Sequence, residues 1–128
     1  MSKEESKVRK EFNDYIKSIG GLESGYRTDA EPMYCVGWVG DGWLPILKEL
    51  IQDLIELGWD KQLCDIKEKF GGLCFYINGG SDDIINRIIK AQNDSYEICE
   101  YCGNPGEPRK IGWIKTLCDN CNNQNKDE

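Results

Sequence analysis

The stretch Cys99-Glu-Tyr-Cys102, followed after fifteen residues by Cys118-Asp-Asn-Cys121, decides how the C-terminal part of this chain folds. Two Cys-x-x-Cys pairs at this separation are typical of a tetrahedral zinc site, because each pair forms a knuckle that points both sulfurs the same way. The residues between the pairs suffice for a short hairpin that brings the knuckles together. The chain has no histidine, so these four cysteines form the predicted ligand set.

Disulfide bonds are the main alternative for these cysteines. The chain has seven cysteines, an odd number, and residues 1–10 are charged and lack the apolar run of a secretory signal. We therefore expect a cytoplasmic protein, in which thiols stay reduced and paired Cys-x-x-Cys motifs favour a metal. A redox role is less favoured, since one pair would suffice. Four thiolate ligands leave no coordination position for water, so the predicted zinc is structural.

The length and charge of the chain limit its organisation and its partners. Its 128 residues predict an α+β core over 1–96, a zinc-binding hairpin packed on it over 97–121, and a frayed polar tail over 122–128. No apolar run approaches the roughly 20 residues of a membrane span. The net charge is −7, and the hairpin carries three cations against four carboxylates. Because nonspecific binding to duplex DNA requires a dense basic surface, nucleic acid is a disfavoured partner.

The core is predicted to contain three principal helices. Apolar residues at helical spacing indicate helices over 5–19, from Leu44 to near Gly58, and from Ser81 to Tyr96. The last of these leads directly into the first knuckle. We expect it to anchor the metal-binding hairpin to the core.

Alternation of side chains predicts a small antiparallel sheet. Strands over 63–70 and 73–78 are joined by a turn at Gly71-Gly72, as paired glycines favour. In this alternation Leu63 shares a face with Lys67, and Cys64 on one strand is expected to face Cys74 on the other. The residues near Tyr34 are a candidate additional strand.

Three segments carry a resemblance to a known family: Asp41-Gly42-Trp43, the run Ile66–Leu73 with Phe75-Tyr76, and Cys99–Cys121 with its internal Pro105-Gly106, Trp113 and Thr116-Leu117. They resemble a group of small, largely uncharacterised proteins of phages and bacteria with a C-terminal zinc-ribbon-like segment. The chain departs from that pattern at Cys74, where the family typically places arginine. The resemblance implies a fold and a phage-like setting, and it implies no activity.

The sequence offers no catalytic constellation. Without histidine, the usual general base of zinc nucleases and of thiol proteases is missing, so Cys35, Cys64 and Cys74 have no evident activating partner. Asp82-Asp83 is interpreted as the start of a helix and Glu4-Glu5 as solvated surface. We therefore predict a protein that is not an enzyme.

Cations and aromatic residues near the two predicted turns are the candidates for a recognition surface: Lys67, Lys69, Phe70, Arg109, Lys110 and Trp113. Cations beside aromatic rings, together with exposed glycine amides, suit a phosphate-bearing ligand or an acidic protein segment. The alternative interpretation is that the strand lysines only solvate the outer face of the hairpin and that Trp113 shields the metal.

Two functions follow from these candidates. The first is a zinc-stabilised adaptor or inhibitor that binds another protein, which the phage-like setting makes a host protein. The second is an anti-defence protein that sequesters a nucleotide-derived small-molecule signal. A nucleic-acid-binding zinc ribbon is a third and less favoured interpretation.

Overall fold

The computed structural model describes residues 6–24, 39–77, 79–111 and 113–126. The helices are α1 (Lys7–Ser18), α2 (Leu44–Glu56), α3 (Asp82–Ser95) and α4 (Asp119–Lys126). The strands are β1 (Glu23–Ser24), β2 (Gln62–Lys69), β3 (Gly72–Ile77), β4 (Glu107–Ile111) and β5 (Trp113–Leu117). The predicted α+β class is confirmed, and the described residues contain four helices where three principal ones were expected.

Helices α1 and α3 begin at serine caps, whereas α2 has no side-chain cap and carries Pro45 in its first turn. The side chains of Ser6 and Ser81 accept hydrogen bonds from backbone amides three residues on, which satisfies amides that have no partner within the helix. Helix α2 has more buried apolar residues than α1 or α3, and both of these helices pack against it. The fully buried side chains of α2 are Leu44, Leu47, Leu50, Ile51 and Leu54.

The larger sheet has the strand order β1-β2-β3, with β2 and β3 antiparallel as predicted. The short β1 was not predicted; it pairs parallel to β2. The register of β2 shifts between Leu63 and Asp65, so Leu63 and Ile66 are both buried although they lie three residues apart. The predicted shared face of Leu63 and Lys67 is therefore wrong, since a strict alternation cannot anticipate a bulge.

The same register corrects the expectation for the two core cysteines. Cys74 lies opposite Lys67, whereas Cys64 falls within the register shift, so the two thiols are not cross-strand partners. The free edge of β3 is occupied by α3, because the amides of Leu73 and Phe75 donate to side chains of that helix. Cys35 and the candidate strand near Tyr34 lie outside the described residues.

The second sheet is the antiparallel hairpin β4–β5, which lies between the two cysteine pairs. Helix α4 follows it immediately. The prediction of a frayed tail is therefore wrong for residues 122–126, which are helical. The physical reason is a local cap, since the amide of Cys121 donates to the Cys118 sulfur and the amide of Asn122 to the Cys118 carbonyl. In the described part of the chain, no helix is both long and apolar enough to cross a membrane.

Candidate metal centre

The structure brings the four predicted cysteine ligands together. The sulfurs of Cys99, Cys102, Cys118 and Cys121 all lie within 4.8 Å of one another, and none of the four is in a disulfide. Zinc–sulfur bonds of about 2.3 Å place the corners of a tetrahedron about 3.8 Å apart. The cluster therefore has the composition and spacing of a site that can hold a metal ion.

Each cysteine pair is shaped by hydrogen bonds of its own backbone. In the first pair, the amide of Gly103 donates to the Cys99 carbonyl at 2.9 Å, and the amide of Cys99 donates to the Asn104 carbonyl at 2.8 Å. Gly103 has a φ of +83°, a conformation that a side chain would strain. In the second pair, the first turn of α4 fixes Cys118 relative to Cys121. Both turns thus point their sulfurs into one space.

The pKa values of two thiols in the cluster, Cys99 and Cys121, are shifted in opposite directions. Burial acts to raise the pKa of Cys99, but hydrogen bonds from the backbone of Cys118 and Cys102 outweigh it and lower that pKa to about 7. Burial and the neighbouring thiols raise the pKa of Cys121. Cys99 can therefore ionise near neutral pH, whereas ionisation of Cys121 beside it is unfavourable. A divalent cation would remove this opposition by compensating the charge of the thiolates.

Gly42, next to Trp43, allows the first cysteine pair to pack closely against the core. The amide of Gly42 donates to the Glu100 carbonyl at 2.7 Å, and a Cβ at Gly42 would overlap the carbonyl oxygen of Cys99. The indole nitrogen of the fully buried Trp43 donates to the Ile98 carbonyl at 2.9 Å. The Asp41-Gly42-Trp43 motif thus positions the cysteine cluster, a role that the sequence did not reveal.

A buried charge cluster connects the metal-binding hairpin to the core. Glu100, only 3% exposed, accepts from the Gly40 amide at 3.1 Å and lies 3.3 Å from the Lys115 ammonium. Lys115 also lies 3.6 Å from Glu68 on β2. Burial acts to lower the pKa of Lys115, but the charges of Glu100 and Glu68 outweigh it and raise that pKa. Neither Glu100 nor Lys115 was singled out from the sequence, because a charged pair that is distant in sequence leaves no local signal.

The turn between β2 and β3 packs against the metal-binding hairpin. Gly71 and Gly72 are buried: the Thr116 hydroxyl donates to the Gly71 carbonyl at 2.5 Å, and a Cβ at Gly72 would overlap the ring of Tyr96. The Gly71 amide donates to the Glu68 carboxylate at 2.8 Å. The expectation that these glycine amides are exposed to a ligand is therefore wrong, since the glycines permit close packing instead.

The predicted recognition residues separate into two groups. Lys67, Lys69 and Phe70 are exposed along β2 and its turn, with Lys67 near the ring of Tyr76 and Lys69 near that of Phe70. Arg109 is instead engaged within the hairpin, where it donates to the Leu117 carbonyl at 3.2 Å and to the Asp119 carboxylate at 2.6 Å. Arg109 thus holds the start of α4.

The remaining two recognition candidates lie on the β4–β5 hairpin. Lys110 is exposed on β4 and is the register partner of Ile114. Trp113 begins β5, but its side chain lies outside the described part of the chain.

A groove joins the first group to the hairpin. It has a volume of about 310 Å³ and runs between the turn after β2 and strand β5. Its lining residues are Glu68, Lys69, Phe70, Ile114 and Lys115. Lys69 and Phe70 were predicted from the sequence, whereas Ile114 was not. The alternation of side chains along β5 would have placed Ile114 on one face of a strand.

Comparison with known proteins gives no match for this chain, whether with protein-family models, with curated proteins or with solved structures. The resemblance drawn from the sequence motifs therefore stays a prediction. The geometry of the cysteine cluster and of the neighbouring groove carries the functional argument.

Proposed function

We propose that this chain is a non-enzymatic, zinc-stabilised binding protein that recognises another protein through the groove beside Phe70. The adaptor or inhibitor role expected from the phage-like motifs is one form of this function, with a host protein as the partner. Zinc is the proposed ion because four sulfur ligands within 4.8 Å of one another suit it. With four protein ligands the ion has no open position, so its role is to hold the hairpin in place.

The observation that carries the binding proposal is the conformation of Phe70. Its side chain is 67% exposed, and its φ is +53°, in the left-handed region that bulky residues rarely adopt. This conformation costs roughly 1–2 kcal/mol relative to one with negative φ. The adjacent Gly71 is held by Glu68 and Thr116, so the surrounding structure maintains the turn. An exposed aromatic residue held in a strained backbone conformation supports a role in recognition.

The charges in the groove favour a protein over a nucleotide as ligand. Lys115 is already engaged by two carboxylates, Glu68 and Glu100, which reduces its capacity to hold a phosphate. Lys69 and Lys110, which lies opposite Ile114, are then the two cations left for a nucleotide that carries several negative charges. The apolar sides provided by Phe70 and Ile114 suit an apolar side chain of a partner.

The proposed function is tested by capture of partners with the purified, metal-loaded chain. We expect a stoichiometric protein partner from its natural cells, and we expect Phe70→Ala to reduce the affinity of the purified complex by roughly 30-fold or more, as truncating an interface hot spot does. Leu57→Ala is the matched control, because Leu57 is 43% exposed and follows α2, away from the groove. Elemental analysis should give one zinc per chain in both variants.

Two results would contradict this function. One is a partner bound equally well by the wild type and Phe70→Ala, which would remove the groove from recognition. The other is a nucleotide that raises the melting temperature of the wild type but not of Phe70→Ala, which would establish the small-molecule alternative.

A further inference from the structure

The groove beside Phe70 has an excess of positive charge, although the chain as a whole is acidic, with a net charge of −7. Lys69 lines the groove, with its ammonium 5.8 Å from the centre of the Phe70 ring. Lys110 is exposed on β4, and the register of the hairpin places it beside Ile114, which forms an apolar side of the groove. Neither lysine has an ion-pair partner within the described part of the chain.

The other charges of the groove are already compensated. Glu68 accepts the Gly71 amide and lies 3.6 Å from the Lys115 ammonium, and Lys115 lies 3.3 Å from Glu100. These groups therefore contribute little net charge to an approaching ligand. The uncompensated charge comes from Lys69, which lines the groove, and from Lys110, the cross-strand partner of the lining residue Ile114.

We propose that the groove binds an acidic protein segment, in which one apolar side chain packs between Phe70 and Ile114 while flanking carboxylates pair with Lys69 and Lys110. This inference rests on the proposed binding function and specifies the chemistry of the partner. A volume of about 310 Å³ is near the lower end of small-molecule pockets. It therefore receives a single side chain rather than a folded domain, and the lysines beside it select the charge of the segment.

A titration of the isotope-labelled, zinc-loaded chain tests the proposal. The probe is a short synthetic peptide of aspartate and glutamate around one leucine. Two matched peptides replace the leucine by serine or all acidic residues by lysine. We expect the first peptide to cause saturable amide shifts confined to residues 68–71, Lys110 and residues 113–116, and to bind at least about tenfold more tightly than either matched peptide. Its affinity should fall with added salt.

Charge reversal provides the decisive comparison. The double variant Lys69→Glu/Lys110→Glu should bind the acidic peptide about tenfold more weakly. Lys7→Glu is the matched control, since Lys7 is exposed in the first turn of α1, where a carboxylate favours the helix dipole. Because both groove lysines are exposed and unpaired among the described residues, the double variant should keep the amide spectrum and the metal content of the wild type.

Three results would overturn the acidic-segment proposal: absence of binding by the acidic leucine peptide, equal binding of the lysine peptide, or unchanged affinity in the double variant. The proposed binding function is tested separately from the acidic-segment proposal. A natural partner lost with Phe70→Ala but retained by the double charge reversal would preserve the binding function and exclude the acidic segment.

Discussion

The carboxylate of Glu100 lies 3.3 Å from the ammonium of Lys115, in a position where only 4% of the Glu100 side chain is exposed. Glu100 lies inside the first cysteine pair, and Lys115 lies on β5 between the two pairs. The ion pair therefore links the first cysteine pair to strand β5 of the hairpin. Its second link, from Lys115 to Glu68, fastens the hairpin to the strand that leads to Phe70.

Removal of the Glu100 carboxylate should destabilise the folded chain. Glu100→Ala leaves the Gly40 amide without its acceptor and leaves Lys115 only its longer contact with Glu68, and we expect a loss of about 2–3 kcal/mol in the free energy of unfolding. Glu100→Gln, which keeps an acceptor oxygen, should lose less. Urea unfolding of the zinc-loaded proteins measures both. Glu97→Ala is the control, because Glu97 is exposed, and an equal loss in that variant would contradict the assignment.

The same pair predicts a dependence of stability on alkaline pH. The pKa of Lys115 is raised above its ordinary value of 10.5 in the folded chain. Its contribution to stability is therefore complete below pH 10.5 and is lost as the pH rises through the folded-state pKa. Lys115→Met lacks this titration, so the wild type should be more stable than the variant at pH 8, and the difference should shrink above pH 10.5. A difference that stays constant across this range would show that Lys115 contributes through packing alone.

Gly42 should tolerate no side chain, because its Cα faces the first cysteine pair. In Gly42→Ala the new Cβ would overlap the Cys99 carbonyl oxygen and lie 2.5 Å from the Gly103 nitrogen. We expect a loss of about 2–3 kcal/mol in unfolding free energy and faster transfer of zinc to a chelator. Gly58→Ala is the control for backbone conformation without steric overlap, because Gly58 has a φ of +99° and a Cβ there would meet nothing within 4 Å. It should cost about 1 kcal/mol and leave zinc transfer unchanged.

The sequence predicts the parts of this protein that depend on local patterns. Cysteine spacing identified all four members of the cluster, and apolar periodicity located α1, α2 and α3. Contacts between distant segments could not be read in this way. Gly42 and Gly72 look like turn residues in the sequence, yet their absent side chains make room for the carbonyl of Cys99 and the ring of Tyr96. Helix α4 was missed for a related reason, since its cap is a cysteine that also belongs to the cluster.

Removal of the metal should unfold the C-terminal hairpin before the core. Helix α4 spans only residues 119–126, is mostly polar and is capped by the Cys118 sulfur, so it has little intrinsic stability once that cap is lost. The core around α2 buries a continuous set of apolar side chains without contribution from the cysteines. With a strong chelator, hydrogen exchange measured by mass spectrometry should show loss of protection over 99–126 while α2 stays protected.

Cys64→Ser is the control, because Cys64 lies on β2 outside the cluster. The hydrogen exchange of this variant before and after chelation should match that of the wild type. Unchanged protection over 99–126 in the chelated wild type would mean that packing against Gly42, Trp43 and Gly71 holds the hairpin without the ion.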